Sequence, residues 1–179
     1  MIFTATAIPG TWLVDPEPLE DERGFFARTF CRREFAARGL EVDVAQTSFA
    51  WNRERATLRG LHHQAAPHAE AKLVRCTRGT IFDVVVDLRP DSPAYRRHLA
   101  VELSAGNRRM IYVPAGCAHG YLTLEAGTEV GYQMSEFHHP ESARGIRFDD
   151  PAFAIAWPIP VTVVSERDRT WPDFAGGVA

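Results

Sequence analysis

Short runs of alternating or β-branched residues, each closed by turn chemistry, recur along almost the whole chain, and they constrain its fold more than any other feature. The runs are "TWLVDPEPL", "LVRCTRG", "TIFDVVVDLR", "HLAVELS", "RMIYVPAG", "HGYLTL", "TEVGYQMSEF" and "VTVVSERD"; "RGT", "RPDSP", "SAGN", "PAG" and "EAGT" punctuate them. Many short strands at regular spacing predict a mainly β chain folded as a sandwich or barrel. One segment, "CRREFAARGL", has helical character: Phe35, Ala36 and Leu40 line one side, and Gly39 falls where a helix would end. In "TIFDVVVDLR", Phe82, Val84 and Val86 share one face, and Asp83, Val85 and Asp87 the other. A valine among the aspartates predicts that this second face is partly covered, with both aspartates solvated or paired to nearby arginines.

The 179 residues suffice for one well-buried domain and are too few for two ordinary ones, so residues 1–179 read as a single unit. A net charge of −3 supplies no basic field, which argues against nucleic acid as a partner. Cys31, Cys76 and Cys117 are odd in number and share no CxxC spacing, so they are expected as free thiols in a reducing compartment. The opening "MIFTATAIPG" lacks the basic region and long apolar run of a signal peptide. No stretch approaches the roughly 18 apolar residues of a membrane span. A soluble, cytoplasmic protein is the expectation.

Two stretches carry candidate chemistry. In "LRGLHHQ", a strand would send His62 and His63 to opposite faces, so both cannot serve one small site in the same way. In "VPAGCAHGY", a strand, a Pro-x-Gly turn and a histidine (Pro114, Gly116, His119) form a cupin-like motif. Cupins often bind a metal through an H-x-H pair, a carboxylate and the later histidine. Here the H-x-H is missing, which leaves a metal site of His62, Glu70 and His119 as one reading. A non-metal use of the barrel interior is the other, and the divergence of the two histidines favours it.

The chain resembles the dTDP-4-dehydrorhamnose 3,5-epimerase family of the cupin superfamily along nearly its whole length. Its landmarks are "DERGFF" at 21–26, Gln46, "TLRGLHHQ" at 57–64, "KLVRCTRG" at 72–79, "DVVVDLR" at 83–89 and "PAGCAHGY" at 114–121. "EVGYQMSEFHHPES" at 129–142, "GIRFDDP" at 145–151 and "SERD" at 165–168 follow in the family's order. The resemblance implies a cupin-type jelly roll with one or a few short helices. It implies a cofactor-independent epimerase that inverts C3 and C5, or C3 only, of a nucleotide-linked 4-keto-6-deoxy sugar in deoxysugar or cell-surface polysaccharide biosynthesis. Such a reaction needs a base and an acid on opposite sides of the sugar ring. The resemblance assigns the base to His62, oriented by Asp168, the acid to Tyr132, and stabilisation of the developing enolate to Lys72. It gives Arg59 and Arg23 to the diphosphate, His119 to the substrate, and Phe26 and Gln46 to the sugar or nucleotide pocket. It implies a homodimer, with the N-terminal segment crossing to the neighbouring subunit.

Several residues depart from the family pattern. His63 replaces the tyrosine usual after the base, and Arg28 stands where a glutamate of nucleotide recognition is common. His138 replaces a tyrosine near the base, and "TSFAWN" brings Trp51 and Asn52 where the deoxythymidine-sugar type has "NHS". These changes fall mainly on the nucleotide side while the proton-transfer groups survive, so epimerisation is better supported than thymidine; the resemblance implies dTDP, with GDP or CDP as alternatives. Two other readings stay open on sequence: a metal-dependent cupin enzyme, and a sugar-nucleotide-binding module without turnover.

Overall fold

A computed structural model describes residues 1–176. In chain order the elements are β1 (Ile2–Ala5), β2 (Trp12–Asp15), β3 (Leu19–Asp21), β4 (Gly24–Phe26), α1 (Arg32–Ala36), β5 (Gln46–Asn52), β6 (Thr57–Gln64) and β7 (Lys72–Arg78). They continue as β8 (Thr80–Asp87), β9 (His98–Ser104), β10 (Met110–Val113), β11 (Cys117–Thr123), β12 (Thr128–Met134), β13 (Ala143–Gly145), β14 (Val163–Val164) and α2 (Glu166–Arg169). One sheet runs β1-β2-β10-β7-β12-β5 and the other β13-β6-β11-β8-β9; β14 adds to β6, and β3-β4 form a separate hairpin. Two antiparallel sheets packed face to face, with helix limited to short pieces, are the sandwich that the strand rhythm predicts.

The core between the sheets is built from alternate residues of each. Val74, Cys76, Ile111, Val113 and Val130 come from the first sheet, and Ile81, Val85, Leu103, Cys117 and Tyr121 from the second. The outer face of the second sheet is buried too. Leu61, Val84, Val86 and Ala118 pack against Ile146 and Phe153 of the C-terminal segment. Strand β8 is therefore covered on both sides, and Asp83 and Asp87 have no exposed surface. Solvation of these aspartates, one of the two sequence expectations, does not occur. Asp87 pairs with Arg89 through bonds of 2.8 and 2.7 Å, whereas Asp83 turns to a histidine described below.

Helix α1 is a single turn that ends at Ala36, capped by Ala37, three residues before the Gly39 expected to end it; Gly39, with a φ of +68° that suits a residue without a Cβ, closes the turn that follows. The helix lays Phe35 on the outer face of the first sheet against Phe3 and Tyr112, and Leu40 joins this cluster. Ala36 stays at the surface rather than on the apolar side, because so short a helix presents only one buried position. The run "VTVVSERD" is a strand only at Val163–Val164; Ser165 then caps α2 by accepting the N–H of Asp168 at 3.1 Å. Cys76 and Cys117 are buried free thiols, and Cys31 is half-buried. Among the described residues no helix is long and apolar enough to cross a membrane.

Candidate active site

A cavity of about 790 Å³ opens between the two sheets at the end where β6 is partnered only in part. Along its outer edge β6 is bonded to β13 at His62–Gln64 and to β14 at Thr57–Leu58. The interval holds Gly60, whose N–H donates to Oδ2 of Asp168 at 3.3 Å. A side chain from α2 thus fills a place in the ladder that no strand occupies. On the inner edge, β6 meets β11 with a bulge between His119 and Tyr121. There Gly60 and Gly120 cross so closely that a Cβ on Gly60 would lie 2.5 Å from Cα of Gly120. Such bulges re-aim side chains beside functional sites.

His62 stands opposite His119 across this irregular pair. Its Nε2 lies 2.6 Å from Oδ1 of Asp168. An ionised carboxylate only accepts, so this bond places the ring proton on Nε2 and leaves the lone pair on Nδ1. Burial alone would raise the Asp168 carboxyl, but bonds from His62, the Gly60 N–H and Ser165 outweigh it and hold it below the usual carboxylate range. His119 has a carboxylate of its own: Nε2 lies 2.8 Å from Oδ2 of Asp83, at the floor of the cavity.

The first sheet supplies the facing wall. Tyr132 of β12 stands edge-on to His119, ring centroids 6.2 Å apart. Burial of its phenol, reinforced by the neighbouring Tyr121 hydroxyl, pushes its pKa well above the ordinary tyrosine value, so it is a protonated donor at neutral pH. Lys72 of β7 is bonded to Glu70 at 3.0 Å and to the His62 carbonyl at 3.4 Å. Gln46 of β5 accepts the N–H of His138 at 2.9 Å and so fixes the exposed His138 at the cavity mouth. Arg59 rises from β6, its Nε donating to Asn52 at 2.8 Å. Buried Asn52 in turn is bonded to the Tyr121 hydroxyl at 3.1 Å. Arg144 and Arg167 also line the cavity, so with Arg59 and Lys72 four cations face two carboxylates, Glu70 and Asp168.

Of the residues expected from sequence, His62, Asp168, Tyr132, Lys72, Gln46, Arg59, His119 and His138 line this one cavity. Arg23, Phe26 and Arg28 do not. Arg23 lies at the turn of the β3–β4 hairpin bonded to Asp21, Phe26 is 70% exposed, and Arg28 pairs with Glu34 at 3.4 Å. His63 is buried beside Arg144, with Nδ1 unpartnered. Desolvation first, then the charge of Lys72 and Arg144, lowers its pKa to about 4. Sequence reasoning passed over Tyr121, placed Asp83 in solvent or with an arginine, and noted Asn52 only as a departure from the family. The signal for Asp83 was an aspartate on the same strand face as a core valine.

The proposed metal set of His62, Glu70 and His119 does not come together. Each has its own partner (Asp168, Lys72 and Asp83), and among the described residues these three do not bring ligand atoms within one coordination sphere. The barrel interior is organised for acid–base chemistry by side chains.

Comparison with known proteins agrees with this geometry. The family model described as dTDP-4-dehydrorhamnose 3,5-epimerase matches residues 5–176. A dTDP-4-dehydrorhamnose 3,5-epimerase of Sinorhizobium fredii is 40% identical over 175 residues, covering 97% of this chain and 90% of that protein. A crystal structure of the enzyme of that name from Bacillus anthracis, with TDP and PPi bound, superposes with a TM-score of 0.93 at 34% identity, covering 97% and 99% of the two chains. A 3'-monoepimerase from Streptomyces bikiniensis in complex with dTDP-quinovose gives 0.87 at 31% identity, covering 94% and 85%. With a family match spanning the sandwich, the cavity and the α2 carboxylate alike, the chain belongs to the dTDP-4-dehydrorhamnose 3,5-epimerase family.

Proposed function

We propose that the protein is a cofactor-independent epimerase of a dTDP-linked 4-keto-6-deoxy sugar, acting at C3 and C5. One observation carries the reading: the base and the acid stand on opposite walls, His62 on a strand of one sheet and Tyr132 on a strand of the other. Nδ1 of His62 removes the proton from the carbon next to the C4 ketone, and the C–H electron pair moves into the carbonyl to give an enolate. Lys72 stabilises the oxygen, whose charge grows as the proton leaves. Electrons then return to the carbon, which takes the phenolic proton of Tyr132 on its other face, so the centre is inverted. The imidazolium formed is stabilised by Asp168, and solvent exchange resets both groups. Arg59, Arg144 and Arg167 suit the diphosphate, since a guanidinium fork matches phosphate oxygens.

The Bacillus anthracis and Streptomyces bikiniensis structures, with thymidine nucleotide or nucleotide sugar bound, support dTDP over GDP and CDP. The protein would work as a soluble cytoplasmic enzyme in deoxysugar and cell-surface polysaccharide synthesis. It would act as a homodimer: the β3–β4 hairpin presents exposed Leu19, Phe25 and Phe26, and β5, an edge strand, exposes Phe49 and Trp51. Such an apolar surface suits contact with a second copy, into whose cavity Arg23, Phe26 and Arg28 would reach.

The deciding experiment is incubation with dTDP-, GDP- and CDP-linked 4-keto-6-deoxyhexoses in heavy water, followed by NMR of the ring protons. Deuterium at C3 and C5 with inversion is expected for the dTDP sugar; exchange at C3 alone would mark a monoepimerase, and no exchange on any substrate would refute the reading. Subunit crossing has its own test. Mixing inactive His62→Asn protein with inactive Arg23→Ala protein restores activity if the hairpin serves the neighbouring site.

A further inference from the structure

We propose that His68, His139 and Glu141 form a binding site for a divalent transition metal of the zinc class, outside the catalytic cavity. Their ligand atoms all lie within 4.8 Å of one another. The two imidazoles are stacked face to face, centroids 3.5 Å apart and planes within 7°, and Nδ1 of His139 lies 3.1 Å from Oε1 of Glu141. A tetrahedral zinc with bonds of about 2.0–2.1 Å sets neighbouring ligand atoms roughly 3.3 Å apart. The 3.1 Å between Nδ1 of His139 and Oε1 of Glu141 is close to that value, and a turn of the His68 ring out of the stack would aim its lone pair at the same point. On the other edge of His139, Nε2 lies 3.9 Å from a carboxylate oxygen of Glu136.

The backbone holding these side chains is fixed before any ion arrives. Gln64, buried at the end of β6, donates to the carbonyls of His68 and Phe137, both at 3.0 Å, and accepts the N–H of His139 at 2.6 Å. The turn after His139 returns the chain so that Ser142 and Ala143 both donate to the His139 carbonyl at 3.0 Å. That turn brings Oε1 of Glu141 back to Nδ1 of His139. Imidazole nitrogens and a carboxylate oxygen are ordinary ligands of such an ion. The ion would displace the proton between His139 and Glu141, and water would complete its coordination. It would staple the β6–β7 connection to the β12–β13 connection, whose His138 stands at the cavity mouth.

The test uses untagged full-length protein stripped with chelator and titrated with ZnCl2 by calorimetry, with the visible absorption of Co2+ as a second readout. One equivalent per chain is expected, with a rise in unfolding temperature. His68→Ala and His139→Ala should each weaken binding at least tenfold and abolish the thermal shift, while His62→Asn binds as the unsubstituted protein does. Absence of binding to the unsubstituted protein overturns the proposal. So does zinc binding that survives both His68→Ala and His139→Ala, or that is lost in His62→Asn while surviving His68→Ala. Should His139→Ala fail to fold, His68→Ala and Glu141→Gln, on a half-buried and an exposed side chain, carry the decision.

Discussion

Nε2 of His62 lies 2.6 Å from one oxygen of Asp168, whose other oxygen accepts the N–H of Gly60 at 3.3 Å, two residues earlier on the same strand. The carboxylate therefore holds both the side chain and the backbone of the base. Asp168→Asn presents an N–H to Nε2 and forces the ring proton onto Nδ1, the atom that must accept the substrate proton. A loss of kcat of about 10²–10⁴-fold is expected, with the fold retained. Steady-state turnover and circular dichroism of the variant check this.

Tyr132→Phe removes the proton donor and leaves the base intact. Inversion should fall about 10²–10⁴-fold, while deuterium from heavy water still enters the substrate from the His62 face. The ratio of exchange to inversion, read by NMR, rises in this variant and not in His62→Asn.

Tyr121 is buried between Asn52 and Tyr132 and touches no substrate in the proposed reaction. Tyr121→Phe leaves the Tyr132 phenol without its polar neighbour and Asn52 short of one partner. Asn52 keeps its bonds to the Thr128 carbonyl and Arg59, so a stability loss of about 0.5–1.5 kcal/mol is expected from the one bond removed. Because Tyr121 raises the Tyr132 phenol, its removal should also move the alkaline limb of the kcat profile to lower pH. Denaturant unfolding and a pH profile measure the two effects separately.

His63 is buried and neutral, with a pKa lowered from 6.5 to about 4. Above pH 6.5 folded and unfolded chains both carry it uncharged; between 6.5 and 4 only the unfolded chain takes the proton. Stability is therefore full above pH 6.5 and declines as pH falls, by about 3 kcal/mol at pH 4. His63→Leu should flatten that part of the stability curve, measured by urea unfolding across the interval.

Gly60 combines a φ of +137° with a Cβ position 2.5 Å from the backbone of Gly120. Gly60→Ala meets strain and overpacking together, roughly 3–5 kcal/mol. A drop in unfolding temperature of about 10 °C follows for a chain of this size, measurable by calorimetry.

The strand rhythm made the sandwich legible, because alternation records which face is buried, and the paired histidine motifs marked the cavity. What stayed hidden depended on distance in sequence. Asp83 reads as a solvated aspartate until β8 is found to be covered on both faces, and only then does its bond to His119 become necessary. Asn52 and Tyr121 are 69 residues apart, and nothing local in either announces a hydrogen bond. The short α2 was misread as strand because Val163–Val164 is β-branched, while the Ser165 cap that turns the chain was overlooked. Arg23, Phe26 and Arg28 were assigned through the family resemblance, and one chain alone does not bring them to the cavity.

His62 and Asp168 are separated by 106 residues, a span with a consequence for the chain as it is made. At about 5–20 residues per second the ribosome needs roughly 5–20 s between adding the base and adding the carboxylate that orients it. By the end of that interval the principal strands of both sheets have been added, and the cavity between them already contains His62, Lys72 and Tyr132. The nascent protein can therefore acquire its shape before it acquires a correctly tautomerised base. Catalytic competence arrives only once α2 has been translated, so activity reports that the chain has been read through to that turn.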